Sequence, residues 1–379
     1  MLAELLLHVG PEKTGTTTIQ ASLATSAEAL TRAGTFVPLA SGDSPGHHVP
    51  ILREVVGDRR YEIRYAYSQD ALSLADTLGE LARNNCTRLL LSAEIFSTRG
   101  AHAEVLRLVE RINPRKLTVI HAMRPVVPWL LSWHGQDIMG GIWDRGCWPV
   151  DRLAGWFVEN VLTVDSACDL WRRGPWDFEL RTLLLAPHPD LDICRMFADC
   201  AELPIALTEV PPVNARLTPC QLHLLQTLNV HAFDPEASLQ QRAAWRGAAL
   251  STLRRHGVPP HVCDCAVEID AATKARIEAL YAGYVDRIVT ASGYVAGDVA
   301  DVTKAVSRDR AVHSRFPGPE SAAACVAFLW HMVVDATAVR QELDGASTFW
   351  HSRADAYAGA RDHWHEQAEN WQKVAEDQP

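Results

Sequence analysis

No stretch of the chain approaches the roughly 20 consecutive apolar residues that a membrane-spanning helix requires, so no membrane span is expected. A secretory leader is not expected either. The opening apolar run is short, has no basic residues ahead of it and suits a first strand better. Positive charge is in deficit: 36 Lys and Arg face 46 Asp and Glu, a formal net charge of −10. That balance argues against a nucleic-acid-binding surface. The nine cysteines lack a pattern, being odd in number and irregular in spacing. They favour reduced thiols in a cytoplasmic compartment over a disulfide framework. The one cluster that invites a metal reading is His261-Val262-Cys263-Asp264-Cys265. Its spacing is not that of a zinc pair and no second Cys pair follows, so no metal is expected.

What is present is enough apolar residue, 47% of 379, for a sizeable core. That length allows one large α/β domain with an appendage, or two domains. The most informative stretch is Leu5-Leu6-Leu7-His8-Val9-Gly10-Pro11-Glu12-Lys13-Thr14-Gly15-Thr16-Thr17-Thr18-Ile19. A short apolar strand runs into a Gly/Pro loop, and Ile19, Leu23 and Leu30 then fall on one helical face. Amides of such a loop and of the first helical turn converge on an anion, and Lys13 adds a full positive charge. The competing reading is an ordinary strand-to-helix turn with a surface lysine. Three threonines directly after Lys-Thr-Gly weigh against it.

The loop departs from the Walker A pattern, in which Lys-Ser/Thr follows the second Gly. Here Gly10 and Gly15 have the required separation, but Thr16 stands where the lysine belongs and Lys13 precedes Gly15 by two residues. No later strand ends in an Asp suited to holding Mg²⁺. A phosphate-binding loop without metal machinery points to a donor whose transferred group carries less charge than a γ-phosphate.

Pro11-Glu12-Lys13-Thr14-Gly15-Thr16-Thr17 resembles the 5′-phosphosulfate loop of sulfotransferases that use 3′-phosphoadenosine 5′-phosphosulfate (PAPS), written Pro-Lys-x-Gly-Thr-Thr, with Glu12 inserted. A second family element is an Arg at a strand end with a Ser eight positions later. Leu117-Thr118-Val119-Ile120-His121-Ala122-Met123-Arg124-Pro125 supplies the strand and Arg, and Ser132 the hydroxyl. The resemblance covers roughly residues 4 to 200. It implies an α/β fold with a P-loop-type parallel sheet flanked by helices, in a soluble, bacterial-type cytoplasmic enzyme. It also implies that Lys13, Thr14, Gly15, Thr16, Thr17 and Thr18 hold the phosphosulfate, while Arg124 and Ser132 hold the 3′-phosphate. No counterpart of the Arg-Lys-Gly loop that cytosolic animal enzymes fold over PAPS is visible; Arg216 and Arg246 are candidates to complete that part.

Catalytic candidates beyond Lys13 come from strand ends and an early loop. Arg88-Leu89-Leu90-Leu91-Ser92-Ala93-Glu94 reads as a buried strand ending in a carboxylate, at the edge where open α/β sheets bind ligands. By the resemblance, Glu94 is a candidate base for the acceptor hydroxyl. His48, with His47 behind it, is a second candidate, and exposed loop histidines are the alternative. Glu94 has its own competing role, as a helix cap or an arginine partner. Trp129, Trp133 and Trp143 suit an acceptor wall or core packing, and His134 reads as a neighbour of the phosphate site.

Further helices are expected over 70–83, 102–112 and 191–197, a short strand over 35–39 and a late strand over 180–187. A mostly helical region is expected from 213 to about 294. In the tail, Leu329, Ala336, Leu343, Trp350, Tyr357, Trp364 and Trp371 recur every seven residues. Met332, Val339, Ala346, Ala360 and Val374 complete a coiled-coil-like seam, interrupted by Arg353 and Gln367. The organisation expected is therefore an α/β domain over 1–298, a linker over 299–319 and an amphipathic helical extension over 320–379. The extension would support homo-oligomerisation or dock on the domain.

The expected activity is transfer of a sulfuryl group from PAPS to a hydroxyl of a glycan or small-molecule acceptor, leaving adenosine 3′,5′-bisphosphate. Two alternatives are carried: a P-loop small-molecule kinase, and a catalytically silent sulfotransferase-like scaffold acting through its helical tail.

Overall fold

The computed structural model describes residues 2–40, 46, 48, 51–52, 73–97, 99–140, 146, 148, 150–185, 192–210, 221–222, 224–226, 229, 247–253, 255 and 269–303. They form an α/β fold around a six-stranded, all-parallel sheet flanked by helices. In chain order the elements are β1 (Glu4–His8), α1 (Thr16–Arg32), β2 (Thr35–Phe36), α2 (Leu74–Arg83), β3 (Arg88–Ser92), α3 (His102–Ile112), β4 (Lys116–Met123), α4 (Val126–Gly140), α5 (Val150–Asn160), α6 (Val164–Trp171), β5 (Asp177–Leu184), α7 (Ile193–Cys200), α8 (Ala271–Ala291), β6 (Tyr294–Ala296) and α9 (Val299–Thr303).

The strand order is β2-β3-β1-β4-β5-β6. From β1 the chain moves outward to β2 and returns through β3; from β4 it moves the opposite way to β5 and β6. The direction of winding therefore reverses between β1 and β4, and their carboxyl ends flank the crevice that such sheets use for ligands. Strands covered on both faces need apolar residues on both, which is why β1 and β3 read as leucine runs without alternation. Leu5, Leu6, Leu7, Leu89, Leu90 and Leu91 are all fully buried. On one face Leu6, Leu90, Ile120 and Leu183 pack with Ile19, Leu23 and Leu30 of α1 and Phe197 of α7. On the other, His121 of β4 meets Tyr284 of α8.

The amino ends of the strands carry a ladder of alternating charge. Arg88 binds Glu4 at 2.8 Å, Lys116 lies 3.6 Å from Glu4 and 2.6 Å from Glu179, and Arg181 binds Glu179 at 2.8 Å. These residues stand on β3, β1, β4 and β5, so the ladder crosses four neighbouring strands at the end remote from the β1–β4 crevice. Burial raises the Glu4 carboxyl, but the Thr118 hydroxyl at 2.6 Å and the charges of Arg88 and Lys116 outweigh it and hold the group below its ordinary value. Glu179 is lowered against burial in the same way by Arg181 and Lys116.

Several expected boundaries shift for local reasons. Of the helix expected over 70–83, the described part opens at Leu74, where the Ser73 hydroxyl caps it by accepting from the Asp76 amide at 2.9 Å. Asp192 caps α7 similarly, accepting from Arg195 N at 2.8 Å. The second strand is two residues long, and the late strand occupies 177–184. The region expected to be helical up to 294 does contain α8, but it ends in β6, which pairs with β5 from Arg181↔Tyr294 to Leu183↔Ala296. A three-residue strand at the sheet edge has too little pattern to be read in advance.

The described residues fall into two compact units. The first gathers those of 1–133, 154–215 and 271–307 and contains the whole sheet; the second gathers those of 134–153 and 216–270. In the second, Ile138, Leu224, Leu225, Ala249 and Leu253 form a small core. His134 and Gln226 meet the Trp148 carbonyl there, at 3.1 and 3.0 Å. Among the described residues no helix is long and apolar enough to cross a membrane. The heptad-patterned extension and the linker from 304 on lie outside the described residues.

Candidate functional site

The loop after β1 is shaped by its carbonyls. Val9 extends the pairing of β1 by donating to Ile120 O at 2.9 Å, and after Gly10 and Pro11 the chain turns over Glu12 and Lys13. A Cβ on Gly10 would stand 2.9 Å from His8 Nε2, 2.9 Å from Thr14 Oγ1 and 3.1 Å from Ala122 Cβ, so the position has no room for a side chain. Thr14 donates its amide (3.3 Å) and its hydroxyl (2.6 Å) to Pro11 O. Trp129 Nε1 donates to Glu12 O at 2.8 Å, and Arg124 Nη1 donates to Lys13 O at 2.8 Å. Three successive carbonyls are thereby tied. Carbonyl and amide of one trans peptide plane point in opposite directions, so the amides of Glu12 and Lys13 are turned away from those ties. Lys13 itself has φ +71° and Gly15 φ +83°. A left-handed lysine is uncommon and is held here by the surrounding bonds.

The first turn of α1 follows immediately. Thr18 and Ile19 donate to Gly15 O at 3.1 and 3.2 Å, and α1 has no side-chain cap at its amino end. The amides of Gly15, Thr16 and Thr17 precede the first helical bond, as at any helix start. The positive end of a 17-residue helix thus opens beside Lys13 and Arg124.

Arg124 sits one residue past β4 and is fixed at two points: its side chain on Lys13 O, and its own carbonyl, which accepts from the Tyr281 hydroxyl at 2.6 Å. Trp129, fully buried on α4, packs edge-on against Phe157 and Tyr281 with ring centroids 4.8 and 6.2 Å away. The indole that ties the loop is therefore anchored in an aromatic core. Ser132 lies further along α4 and is half-buried.

Glu94 stands two residues beyond β3, at the start of a 3₁₀ turn over Glu94–Ser97. Its Oε1 accepts from Thr16 Oγ1 at 2.6 Å and its Oε2 from Gln20 Nε2 at 3.3 Å. Gln20 Nε2 also approaches Ser92 Oγ at 3.4 Å, and Ser92 Oγ lies 2.8 Å from His8 Nδ1. The register that pairs His8 with Ser92 across β1 and β3 makes that contact. Complete burial depresses the His8 imidazole to about 4, against the opposing charge of Glu94. Burial, with the neighbouring His8, takes His121 to about 3.

The structure thus brings Lys13, Thr14, Gly15, Thr16, Arg124 and Glu94 into one connected network at the carboxyl ends of β1, β3 and β4. Thr17 and Thr18 occupy the same helical turn. His48 is placed differently from an exposed loop histidine. It is buried, its Nδ1 accepts from Ser92 N at 2.7 Å, and its Nε2 meets Pro38 O at 2.7 Å. Both ring nitrogens hold main chain, which fixes the tautomer and makes the residue a strut beneath β3. His134 belongs to the second unit. His47, Trp143, Arg216, Arg246 and the His261–Cys265 cluster lie outside the described residues. Among the described residues no group of three or more His, Cys, Asp or Glu is placed to hold a metal ion.

Sequence reasoning missed His8, Gln20, Ser92 and Tyr281 and assigned Trp129 no bond. Gln20 had one visible signal, a polar residue on the helical face otherwise marked by Ile19 and Leu23. In comparisons with family models, curated proteins and solved structures, nothing matched the chain.

Proposed function

We propose that this chain is a PAPS-dependent sulfotransferase acting on a hydroxyl of a glycan or small-molecule acceptor. The observation that carries the reading is the direct bond from Arg124 to the carbonyl of Lys13. It joins the two elements of the resemblance through residues 111 apart in the chain. The donor set fits a nucleotide with anionic groups at both its 3′ and 5′ positions: a loop with tied carbonyls, an uncapped helix start, an ammonium and a guanidinium. PAPS, when bound, supplies an activated sulfuryl group on its 5′-phosphate.

Lys13 and the amides around Gly15 hold the phosphosulfate end and balance the negative charge that builds on its bridging oxygen. Arg124, with Ser132, holds the 3′-phosphate. Glu94 takes the proton of the acceptor hydroxyl, a contribution of about 10²–10⁴-fold for general bases. Thr16, bonded to Glu94 and lying in the anion-facing turn, couples the two halves of the site. Most of the acceleration comes from positioning and charge stabilisation, as in phosphoryl transfer.

The test is sulfuryl transfer from PAPS by the wild-type chain and by Lys13→Ala. Lys13 is half-buried in a loop tied by other residues, so the variant should fold and lose transfer by at least 10²-fold, on the scale of one lost charge-stabilising donor. Near-normal turnover in the variant contradicts the reading. ATP–Mg²⁺ stabilising the protein more than adenosine 3′,5′-bisphosphate in a thermal shift would favour the kinase. Nucleotide binding without transfer to any acceptor would favour the silent scaffold.

A further inference from the structure

The reading above assigns Glu94 the proton but leaves open what aims its carboxylate. We infer that Gln20 is the positioning residue for Glu94, an assignment that rests on the proposed sulfotransferase reading. Thr16 and Gln20 are four residues apart on α1 and so share one helical face. Thr16 Oγ1 holds one carboxylate oxygen at 2.6 Å and Gln20 Nε2 holds the other at 3.3 Å. The carboxylate is therefore registered against the helix whose first turn faces the anion. Donor loop and base are thereby tied to one helix.

Chemistry fixes the orientation of the Gln20 amide. An ionised carboxylate only accepts, so the NH₂ group faces Glu94, and its other hydrogen reaches Ser92 Oγ at 3.4 Å. Ser92 Oγ, which accepts from Gln20, also lies 2.8 Å from His8 Nδ1 and joins the two side chains. The other ring nitrogen of His8, Nε2, is buried with no hydrogen-bond partner among the described residues. A polar side chain 5% exposed in the second turn of a helix, bridging Ser92 and Glu94 at the carboxyl end of β3, is an expensive arrangement for packing alone. In this reading Glu94 accepts the proton of the acceptor hydroxyl as that oxygen bonds to sulfur and the bond from sulfur to the bridging oxygen of PAPS breaks; Gln20 takes part in no bond change.

The experiment compares wild type, Gln20→Met, Gln20→Ala, Glu94→Gln and the Gln20→Met/Glu94→Gln double variant. Two readouts are used: calorimetric binding of adenosine 3′,5′-bisphosphate, and its release from PAPS with 4-nitrophenol or water as the hydroxyl. Gln20→Met keeps length and bulk while removing the donor; Gln20→Ala gives a second chance of a folded variant. Nucleotide affinity should stay within about twofold in both, while kcat falls about 10–100-fold, the scale of a misplaced catalytic group. The double variant should be no slower than Glu94→Gln alone, because both changes act through one carboxylate. A purely structural role would lower nucleotide binding together with kcat, or multiply the two losses, and either result overturns the assignment. Unchanged kcat in the Gln20 variants overturns it while leaving the sulfotransferase reading intact. If the wild-type chain releases no nucleotide from PAPS, that reading fails and takes this assignment with it.

Discussion

Gly10 shows how little freedom individual residues have at the site. A methyl group there would press on His8 Nε2, Thr14 Oγ1 and Ala122 Cβ, three groups drawn from the strand, the loop and the next strand. Gly10→Ala should destabilise the protein by about 1–3 kcal/mol, the usual scale of overpacking. It should also weaken anion binding by displacing Thr14. A urea midpoint and a nucleotide titration on the same sample check both, and an unchanged midpoint would mean that the loop relaxes freely. Lys13 and Gly15 were legible in the sequence because loop chemistry is local. The bonds that tie the loop were not: Trp129 and Arg124 reach it from more than 100 residues away, and nothing in the composition of either segment names its partner. His48 illustrates the opposite error. A histidine in a polar loop reads as exposed, whereas its ring is spent on holding Ser92 N and Pro38 O.

At the scale of elements, the leucine runs announced β1 and β3, and the Lys116–Met123 strand was legible from its apolar stretch and its terminal Arg. Which strands lie side by side was not written locally. It is fixed by tertiary pairing, and the charge ladder of Arg88, Glu4, Lys116 and Glu179 marks one end of that pairing. Glu4→Gln removes the charge partner shared by Arg88 and Lys116 while leaving Thr118 an acceptor. The variant should lose about 1–3 kcal/mol of stability at neutral pH, the range for a partly buried polar group deprived of its partner. The difference from wild type should narrow as pH falls, since the stabilisation from a lowered carboxyl is lost on protonation. Equal stability of variant and wild type at pH 7 would mean that the ladder does not contribute.

For the whole molecule, buried histidines shape the response to acid, with His8 and His121 shifted furthest and His102 and His134 lowered by burial in the same direction. His8 and His121 are held neutral down to about 4 and about 3, from an ordinary 6.5. Between those values the unfolded chain takes up protons that the folded one refuses, so stability rises with pH there and is lost as pH falls below about 6.5. Each histidine adds a slope of about 1.4 kcal/mol per pH unit across its window. The lowered carboxyls of Glu4 and Glu179 add their loss at lower pH. Urea midpoints from pH 8 to 4 should therefore be level at first and then fall, and His121→Gln, which cannot titrate, should flatten the fall. A wild-type profile without slope between pH 6.5 and 4 would contradict the burial of both rings. The described residues to which chemistry is assigned all belong to the first unit.

The account stands or falls on Arg124 reading a phosphate at the nucleotide's 3′ position while the loop of Lys13 grips the 5′ end. Calorimetric titration of wild type and Arg124→Ala with adenosine 3′,5′-bisphosphate and with adenosine 5′-phosphate tests this directly. Wild type should bind the bisphosphate more tightly, and the substitution should remove that preference, weakening the bisphosphate by about 10–100-fold, as for a lost charge-assisted pair, and the monophosphate far less. Equal losses for both nucleotides would show that Arg124 serves only to tie the loop, and no measurable binding of either by the wild-type chain would contradict the account as a whole.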